Sequence, residues 1–246
     1  MRFLTLLIPI LLFLGNCISR QIPIPKDRLT PGVFKPKGSG KPISYLIYYP
    51  KSYYSDQWTR LPLLLFLHGK GERGQDLKLL SNQGLPKSIQ NGEEFPFLLI
   101  APQLPVSEES WYTDELLDLI GHVKDLVRVD EERIYLTGLS MGGNGAWKLA
   151  MHSPETFAGV IPISGYGDSS HACALKDTPV WSFHGAKDKL ILPERTIEIH
   201  ERLSLCNPQA KITIYPEAGH DAWTETYSNP DVLNWLVSQR KKKLKN

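Results

Sequence analysis

The sequence has few cysteines, little net charge and no long apolar segment. Its 246 residues include three cysteines and carry a formal net charge of only +2, so nothing indicates a nucleic-acid-binding protein. The longest apolar stretch, Phe3 to Leu14, is shorter than the roughly 20 residues that a membrane-spanning helix needs. No metal-ligand spacing or dinucleotide-binding motif is present, and we therefore expect no cofactor.

The overall composition is that of an ordinary globular protein. Hydrophobic residues make up 41% of the chain and charged residues 22%, and the length is enough for one substantial α/β domain. The charge is uneven, because five basic residues crowd the end of the chain: Arg240, Lys241, Lys242, Lys243 and Lys245.

The first residues have the layout of a signal peptide. Arg2 precedes the apolar run, and Leu14-Gly15-Asn16-Cys17 follows it. This segment resembles a bacterial lipoprotein box, although Asn16 replaces the usual Gly or Ala. We predict a signal peptide over residues 1–16, a lipidated Cys17 with an extended, proline-rich tether over 17–42, and a folded domain over 43–246. The protein is then exported and lipid-anchored to a bacterial membrane, or else periplasmic or secreted.

Two cysteines, Cys173 and Cys206, lie within the predicted domain. Disulfides persist in an exported protein, so the two thiols either pair or remain buried and free.

Apolar strand patterns alternate with helical patterns from Ile43 onward, which predicts a mostly parallel sheet with helices on both faces. We expect strands at 44–49, 63–67, 97–101, 133–137, 159–163, 179–183 and 211–215, and helices at 115–127, 140–151, 194–205 and 231–239.

A Gly-x-Ser-x-Gly motif marks a candidate nucleophile. Gly138-Leu139-Ser140-Met141-Gly142 follows one predicted strand directly and precedes a helix, which is the context in which such a turn exposes the serine hydroxyl. Glycines are needed there because the sharp turn leaves no room for flanking side chains.

A serine needs a base and a group that orients the base. Asp188 and His220 each follow the end of a predicted strand, and the carboxyl ends of parallel strands meet at one edge of the sheet. The other histidines fit this role less well. His68 and His184 precede glycines at strand ends and are interpreted as shaping those turns. The remaining ones lie on helices or in a polar loop: His122, His152, His171 and His200.

The glycine-rich stretch His68 to Gly74 follows an early strand and can direct a backbone N–H towards an oxyanion. Lys70 is the first candidate for this donor and Gly71 the second, and the other donor would be the Met141 N–H.

Together these stretches resemble the serine α/β-hydrolases of the esterase and phospholipase/carboxylesterase-like ("predicted peptidase") group, related to dienelactone hydrolase and feruloyl esterases. The matching segments are 67–74, 133–143, 179–188 and 219–223. Dienelactone hydrolase uses a cysteine nucleophile, so Ser140 favours the esterase side. The resemblance implies an α/β-hydrolase fold and a Ser140–Asp188–His220 triad that cleaves carboxylic esters.

The substrate is less clearly indicated. Trp111, Tyr166 and Trp223 either form an aromatic pocket for aryl or feruloyl-type esters, small or polymer-linked, or only pack the core. An acyltransferase or a peptidase would use the same triad, and a surface lipoprotein that has lost catalysis would keep the fold. The sequence does not indicate an oligomeric state.

Overall fold

The computed structural model describes residues 28–37 and 41–241, which form an eight-stranded sheet with flanking helices. The strands lie in the order β1-β2-β4-β3-β5-β6-β7-β8, with β2 antiparallel to both of its neighbours and the strands from β4 to β8 parallel. Their bounds are β1 Leu29–Phe34, β2 Ile43–Tyr48, β3 Leu61–Leu67, β4 Leu98–Gln103, β5 Val129–Leu139, β6 Gly159–Ile163, β7 Trp181–Gly185 and β8 Lys211–Tyr215. The predicted fold class is confirmed.

Helices cover both faces of this sheet. Their bounds are α1 Lys51–Ser55, α2 Gly84–Gln90, α3 Thr113–Leu126, α4 Met141–His152, α5 Glu194–Ser204, α6 Trp223–Ser228 and α7 Pro230–Ser238. Helices α3, α4 and α5 contribute to one hydrophobic cluster, and α2, α6 and α7 contribute to another on the opposite face. Within the described residues, no helix is both long enough and apolar enough to cross a bilayer.

The central strand β3 explains why a continuous apolar run predicts a buried strand in this sequence. All seven of its residues are buried, with Leu63, Leu65 and Leu67 in the first cluster and Leu64 and Phe66 in the second. Alternate side chains point to opposite faces, so a strand covered on both sides becomes a continuous apolar run. This arrangement positions the carboxyl end of β3 beside that of β5.

The predicted tether is wrong for Leu29–Phe34, which forms edge strand β1. It pairs with β2 from Leu29 opposite Tyr48 to Phe34 opposite Ile43. Gly32 lies over the Tyr45 ring, where a Cβ would come within 2.3 Å of Tyr45 Cζ. Pro31 is compatible with an edge strand, which has one unpaired side, and its presence disguised the strand. The predicted signal peptide and Cys17 lie outside the described residues.

The basic C-terminal segment is described only as far as Lys241. The Arg240 guanidinium lies 3.6 Å from carboxylate oxygens of Asp130 and Glu132, and the Lys241 N–H donates to the Glu132 carbonyl. The end of the described chain is therefore held beside the start of β5.

Cys173 and Cys206 form a disulfide, which answers the question that the sequence left open. Their Cα atoms are 5.8 Å apart, and the bond joins the 3₁₀ turn Ser169–Leu175 to the residues just after α5. The bond encloses residues 173–206, a stretch that contains Asp188.

Reduction of this disulfide is expected to destabilise the domain. The two cysteines are 33 positions apart in sequence, and the loop between them gains conformational entropy in the unfolded chain once the bond is broken. This lowers the free energy of unfolding by about 3 to 4 kcal/mol. Urea unfolding with and without reductant measures this loss. The double variant Cys173→Ala/Cys206→Ala is the control, because reductant should leave its stability unchanged. Equal stability of oxidised and reduced wild-type protein would contradict the prediction.

Candidate active site

The turn between β5 and α4 presents Ser140 in a strained backbone conformation. Ser140 has φ 54° and ψ −118°, a region that residues with a Cβ rarely adopt. Its N–H donates to the Ile163 carbonyl at 2.9 Å, and its carbonyl accepts from the Asn144 N–H at 2.9 Å. These bonds hold the hydroxyl at the carboxyl edge of the sheet, at the N-terminus of α4.

Two glycines make this turn possible. A Cβ on Gly142 would lie 1.9 Å from the Leu67 carbonyl oxygen of β3, and a Cβ on Gly138 would lie 2.2 Å from the Gly142 oxygen. Both contacts are with backbone, which cannot move aside as a side chain can. The Gly-x-Ser-x-Gly spacing therefore reflects the close packing of α4 on β3.

Backbone hydrogen bonds join the turns after β7 and β8. The Ala186 N–H donates to the Tyr215 carbonyl and the Lys187 N–H to the Ala218 carbonyl, both at 2.9 Å. Gly185 packs against the second turn, since a Cβ there would lie 2.0 Å from the Gly219 oxygen. The two turns therefore carry Asp188 and His220 to the same point.

The structure brings the three predicted side chains into one hydrogen-bonded line. His220 Nε2 lies 2.8 Å from Ser140 Oγ, and His220 Nδ1 lies 2.7 Å from Asp188 Oδ2. With a proton on Nδ1, Nε2 has a free lone pair towards the serine hydroxyl, which is the geometry for accepting its proton.

Asp188 is buried but fully hydrogen-bonded. Burial alone would raise the pKa of its carboxyl, yet the hydrogen bond and charge of His220 and the N–H groups of Ile191 and Leu190 lower the pKa below its usual value. The two N–H groups reach Oδ1 at 3.1 and 2.8 Å. The carboxylate therefore stays ionised opposite His220.

The loop after β3 is organised by two buried side chains. His68 Nδ1–H donates to the Gly69 carbonyl at 2.6 Å, and His68 Nε2 accepts from the Leu104 N–H at 3.0 Å. Burial lowers the pKa of His68 to about 4, which keeps the ring neutral as this pattern requires. Glu72 accepts from the Gly69 N–H at 3.0 Å. His68 thus shapes its turn, as expected.

A cleft of about 480 Å³ opens beside Ser140. It is lined by Lys70, Glu109, Ser140, Met141, Asn144, Tyr166, Leu190, Ile191, Leu192 and Arg195. Two predicted oxyanion donors, Lys70 and Met141, therefore line the same cleft as Ser140. The other candidate, Gly71, does not line the cleft, and a Cβ placed on it would contact nothing within 4 Å. The Gly69 N–H is already bonded to Glu72, which leaves Lys70 as the better-placed loop donor.

Of the three predicted aromatic contacts, only Tyr166 lines the cleft, where it is 38% exposed. Trp111 is instead buried against His68, with ring centroids 4.8 Å apart, and fills the space above Gly145. It borders a separate cavity of about 310 Å³. Trp223 packs edge-on against His220 at 5.3 Å, and its Nε1–H donates to Gln83 Oε1 at 3.2 Å. Trp111 and Trp223 therefore pack against the histidines of the site, His68 and His220, and do not line the cleft.

Sequence reasoning missed Arg195 and the apolar segment Leu190 to Leu192. The Arg195 guanidinium lies over the Tyr166 ring, 4.8 Å from its centroid, and no carboxylate among the described residues is within ion-pair distance of it. The sequence offered one indication of their role: Leu190 to Leu192 follow Asp188 in a loop at a strand end, and Arg195 lies in the first turn of the next helix, α5. In the described part of the chain, no group of three or more His, Cys, Asp or Glu residues could hold a metal ion.

Comparison with known proteins identifies the family of this chain. The family model for dienelactone hydrolase matches residues 102–241, which is more than half of the chain. The chain belongs to the dienelactone hydrolase family. One similar protein, from Yersinia pestis, has the provisional name carboxymethylenebutenolidase. It is 31% identical to this chain over 117 residues, and the match spans 42% of each protein. The chain thus spans less than half the length of that relative.

Solved structures show the same α/β-hydrolase fold as this dienelactone hydrolase family member. A thermostable esterase superimposes with a TM-score of 0.74 at 31% identity, covering 87% of this chain and 63% of the esterase. A ferulic acid esterase superimposes with a TM-score of 0.67 at 16% identity, covering 85% of this chain and 97% of the other, a likeness of fold alone.

Replacing Asp188 by Asn is expected to slow labelling of Ser140 by a fluorophosphonate by about 10³- to 10⁴-fold, because the amide favours the wrong imidazole tautomer. Asp221→Asn is the matched control. Asp221 is adjacent to His220 in sequence, but its oxygens accept from the Thr224 N–H and hydroxyl at the start of α6. Labelling rates of the two variants give the comparison, and the reverse order of effects would show that the acid is misassigned.

Proposed function

We propose that this protein is a serine hydrolase that cleaves carboxylic esters through an acyl-enzyme on Ser140. The observation that supports this most strongly is the line from Ser140 through His220 to Asp188, with hydrogen bonds of 2.8 and 2.7 Å, at the base of an open cleft. The line links a nucleophile, a base and a buried anion in the order that acyl transfer requires.

In the first step Ser140 Oγ attacks the ester carbonyl carbon while its proton passes to His220 Nε2. The new C–O bond forms as the carbonyl π electrons move onto oxygen. The imidazolium then returns the proton to the departing alcohol, and the bond from carbon to the alcohol oxygen breaks. Water repeats the sequence and releases the acid. Asp188 stabilises the imidazolium formed in each half-reaction.

The negative oxygen of the tetrahedral intermediate is assigned to the Lys70 and Met141 N–H groups. Both residues line the Ser140 cleft, and Met141 is the first residue of α4. The N-terminus of this 12-residue helix carries a partial positive charge, which favours an anion at the same place.

The cleft favours esters with an apolar or aromatic part. Its walls combine the Tyr166 ring with the apolar segment Leu190 to Leu192, where Leu190 is 78% and Leu192 57% exposed. Exposed leucines beside a nucleophile provide area for burying an aryl group. The open cleft also admits an ester carried on a polymer. Feruloyl and other aryl esters are accordingly the proposed substrates. A structural neighbour of this chain is named a ferulic acid esterase, which is in line with this proposal.

Replacing Ser140 by Ala is expected to reduce hydrolysis of p-nitrophenyl acetate and methyl ferulate by roughly 10⁶-fold, because the nucleophile is lost. The free energy of unfolding should change by less than about 1 kcal/mol, since the hydroxyl faces the cleft. Initial rates and urea unfolding measure the two effects. Activity of the variant near that of wild type would remove Ser140 from the mechanism.

Substrate comparison tests the rival activities. Faster turnover of methyl ferulate than of methyl acetate supports the aryl preference, and the reverse contradicts it. Preferred cleavage of a peptide amide would indicate a peptidase, and preferred transfer to an added alcohol would indicate an acyltransferase. Wild-type protein that is folded but neither hydrolyses esters nor labels with fluorophosphonate would be a binding lipoprotein without catalysis.

We also propose that the protein is exported and anchored to a bacterial membrane through a lipid on Cys17. The support is in the sequence, in the apolar run Phe3 to Leu14 and the Leu14-Gly15-Asn16-Cys17 box. The basic residues after Gln239 could add about 1 kcal/mol each near anionic headgroups, an attraction that salt screens.

Replacing Cys17 by Ala is expected to release the mature protein from membranes or to leave an uncleaved precursor. Deletion of residues 241–246 is the companion variant, and it should reduce membrane association only at low salt. Fractionation followed by mass spectrometry of the N-terminus measures both. A soluble wild-type protein that begins after a residue other than Asn16 would mean that the chain is secreted without an anchor.

A further inference from the structure

A second histidine contacts the same carboxylate oxygen as His220. His184, the fourth residue of β7, is completely buried, and its Nε2 lies 3.0 Å from Asp188 Oδ2 and 2.8 Å from the Ile191 carbonyl. His220 Nδ1 approaches Oδ2 at 2.7 Å. Asp188 Oδ2 is therefore shared by two imidazole rings, one inside the protein and one beside the cleft.

The other side of the His184 ring leads towards the nucleophile. His184 Nδ1 lies 2.7 Å from Thr196 Oγ1, and this hydroxyl lies 2.6 Å from the Gly165 carbonyl. Gly165 packs directly on the start of α4, since a Cβ on it would lie 2.5 Å from the Gly143 carbonyl carbon. The hydrogen bonds thus run from the acid to the backbone beside the nucleophile turn.

The chemistry of these contacts determines where protons must be. The Gly165 carbonyl only accepts, so the single Thr196 hydroxyl proton points to it, and Thr196 Oγ1 must then accept a proton from Nδ1. Nε2 faces a carboxylate and a carbonyl, which also only accept. Both ring nitrogens must therefore donate. A neutral ring would leave one of these short contacts without a proton, which is costly in a buried place.

We propose that His184 is a positioning residue that carries a proton on each ring nitrogen and orients Asp188 towards His220. The proposal rests on the proposed function, since it concerns the reaction of Ser140. A buried cation is tolerated here because it is paired with the Asp188 carboxylate and hydrogen-bonded on both sides. Its charge also offsets part of the negative charge that Asp188 presents to His220.

The surroundings of the ring contain no competing ionisable group at hydrogen-bonding distance among the described residues. The neighbouring strand β8 places Ile214 opposite His184, and α5 contributes Thr196. Asp188 is the ionisable side chain that contacts it. A change in the charge of His184 is therefore transmitted to His220 through Asp188.

His184→Gln keeps a donor for Asp188 but removes the charge and the second donor. Turnover should fall by about 10²-fold with little change in KM, because the acid is misplaced relative to the base. The acidic limb of the kcat/KM profile should move about one unit to higher pH, because His220 then meets the full charge of Asp188 and protonates more readily. A merely structural role would lower activity without moving the limb, and an unmoved limb would overturn the proposal.

Thr196 provides a matched pair of variants should His184→Gln not fold. Thr196→Val removes the hydroxyl between His184 and Gly165 at similar volume, whereas Thr196→Ser keeps it. The valine variant should lose turnover and the serine variant should recover it. Equal activity of valine and serine variants would show that the connection from Gly165 to Asp188 does not contribute.

A direct measurement does not depend on turnover. In an NMR spectrum of protein labelled with ¹⁵N-histidine at neutral pH, both ring nitrogens of His184 should carry bonded protons. The His184 signals are assigned as those that shift in the Thr196→Ser and Thr196→Val variants, because Thr196 contacts His184 Nδ1. One protonated nitrogen would overturn the proposal. Two bonded protons in a protein that hydrolyses no ester would retain the assignment of His184 while the proposed function fails, so the two failures are distinguishable.

Discussion

Close backbone contact between β3 and α4 is the constraint on which the site depends. The helix begins where the Leu67 and His68 carbonyls lie within 1.9 and 2.7 Å of the place that a Gly142 Cβ would occupy. Such contact brings Ser140 to the edge of the sheet and forces its backbone to positive φ. A conformation of this kind costs on the order of 1 to 3 kcal/mol, and it persists because neighbouring hydrogen bonds hold both sides of the turn. The position of the hydroxyl at the edge of the sheet is thus a consequence of packing.

The acid side of the site is built on a different principle. Asp188 loses its hydration on burial, and the protein replaces that water with two backbone N–H groups and two histidines. A carboxylate satisfied in this way is ordered as well as ionised, because each oxygen has a fixed set of partners. The orientation of the His220 ring is then set by its hydrogen bond to Asp188 and by edge-on packing against the Trp223 ring.

The front of the cleft comes from two segments that a covalent bond ties together. Tyr166 precedes the turn that contains Cys173, and Leu190 to Leu192 precede α5, the helix that carries Arg195 and ends beside Cys206. Beside the cleft, the Arg195 guanidinium lies over the Tyr166 ring, 4.8 Å from its centroid. The walls of the cleft are therefore formed largely by loops attached to the sheet, as in many α/β folds.

The sequence by itself determined the fold class and the three residues Ser140, Asp188 and His220. Local signals sufficed, because buried parallel strands read as apolar runs and the tight turn after β5 requires glycine two residues before and two residues after its serine. Packing between distant segments decided the rest. Pro31 in strand β1 made that strand difficult to recognise from the sequence. Trp111 and Trp223 do not line the cleft, because Trp111 packs against His68 and Gly145 and Trp223 donates a hydrogen bond to Gln83. Cys173 and Cys206 are 33 positions apart in sequence, and His184 and Asp188 are 4 apart. Whether the side chains of each pair meet depends on their directions in the folded chain, and only the tertiary structure decides this.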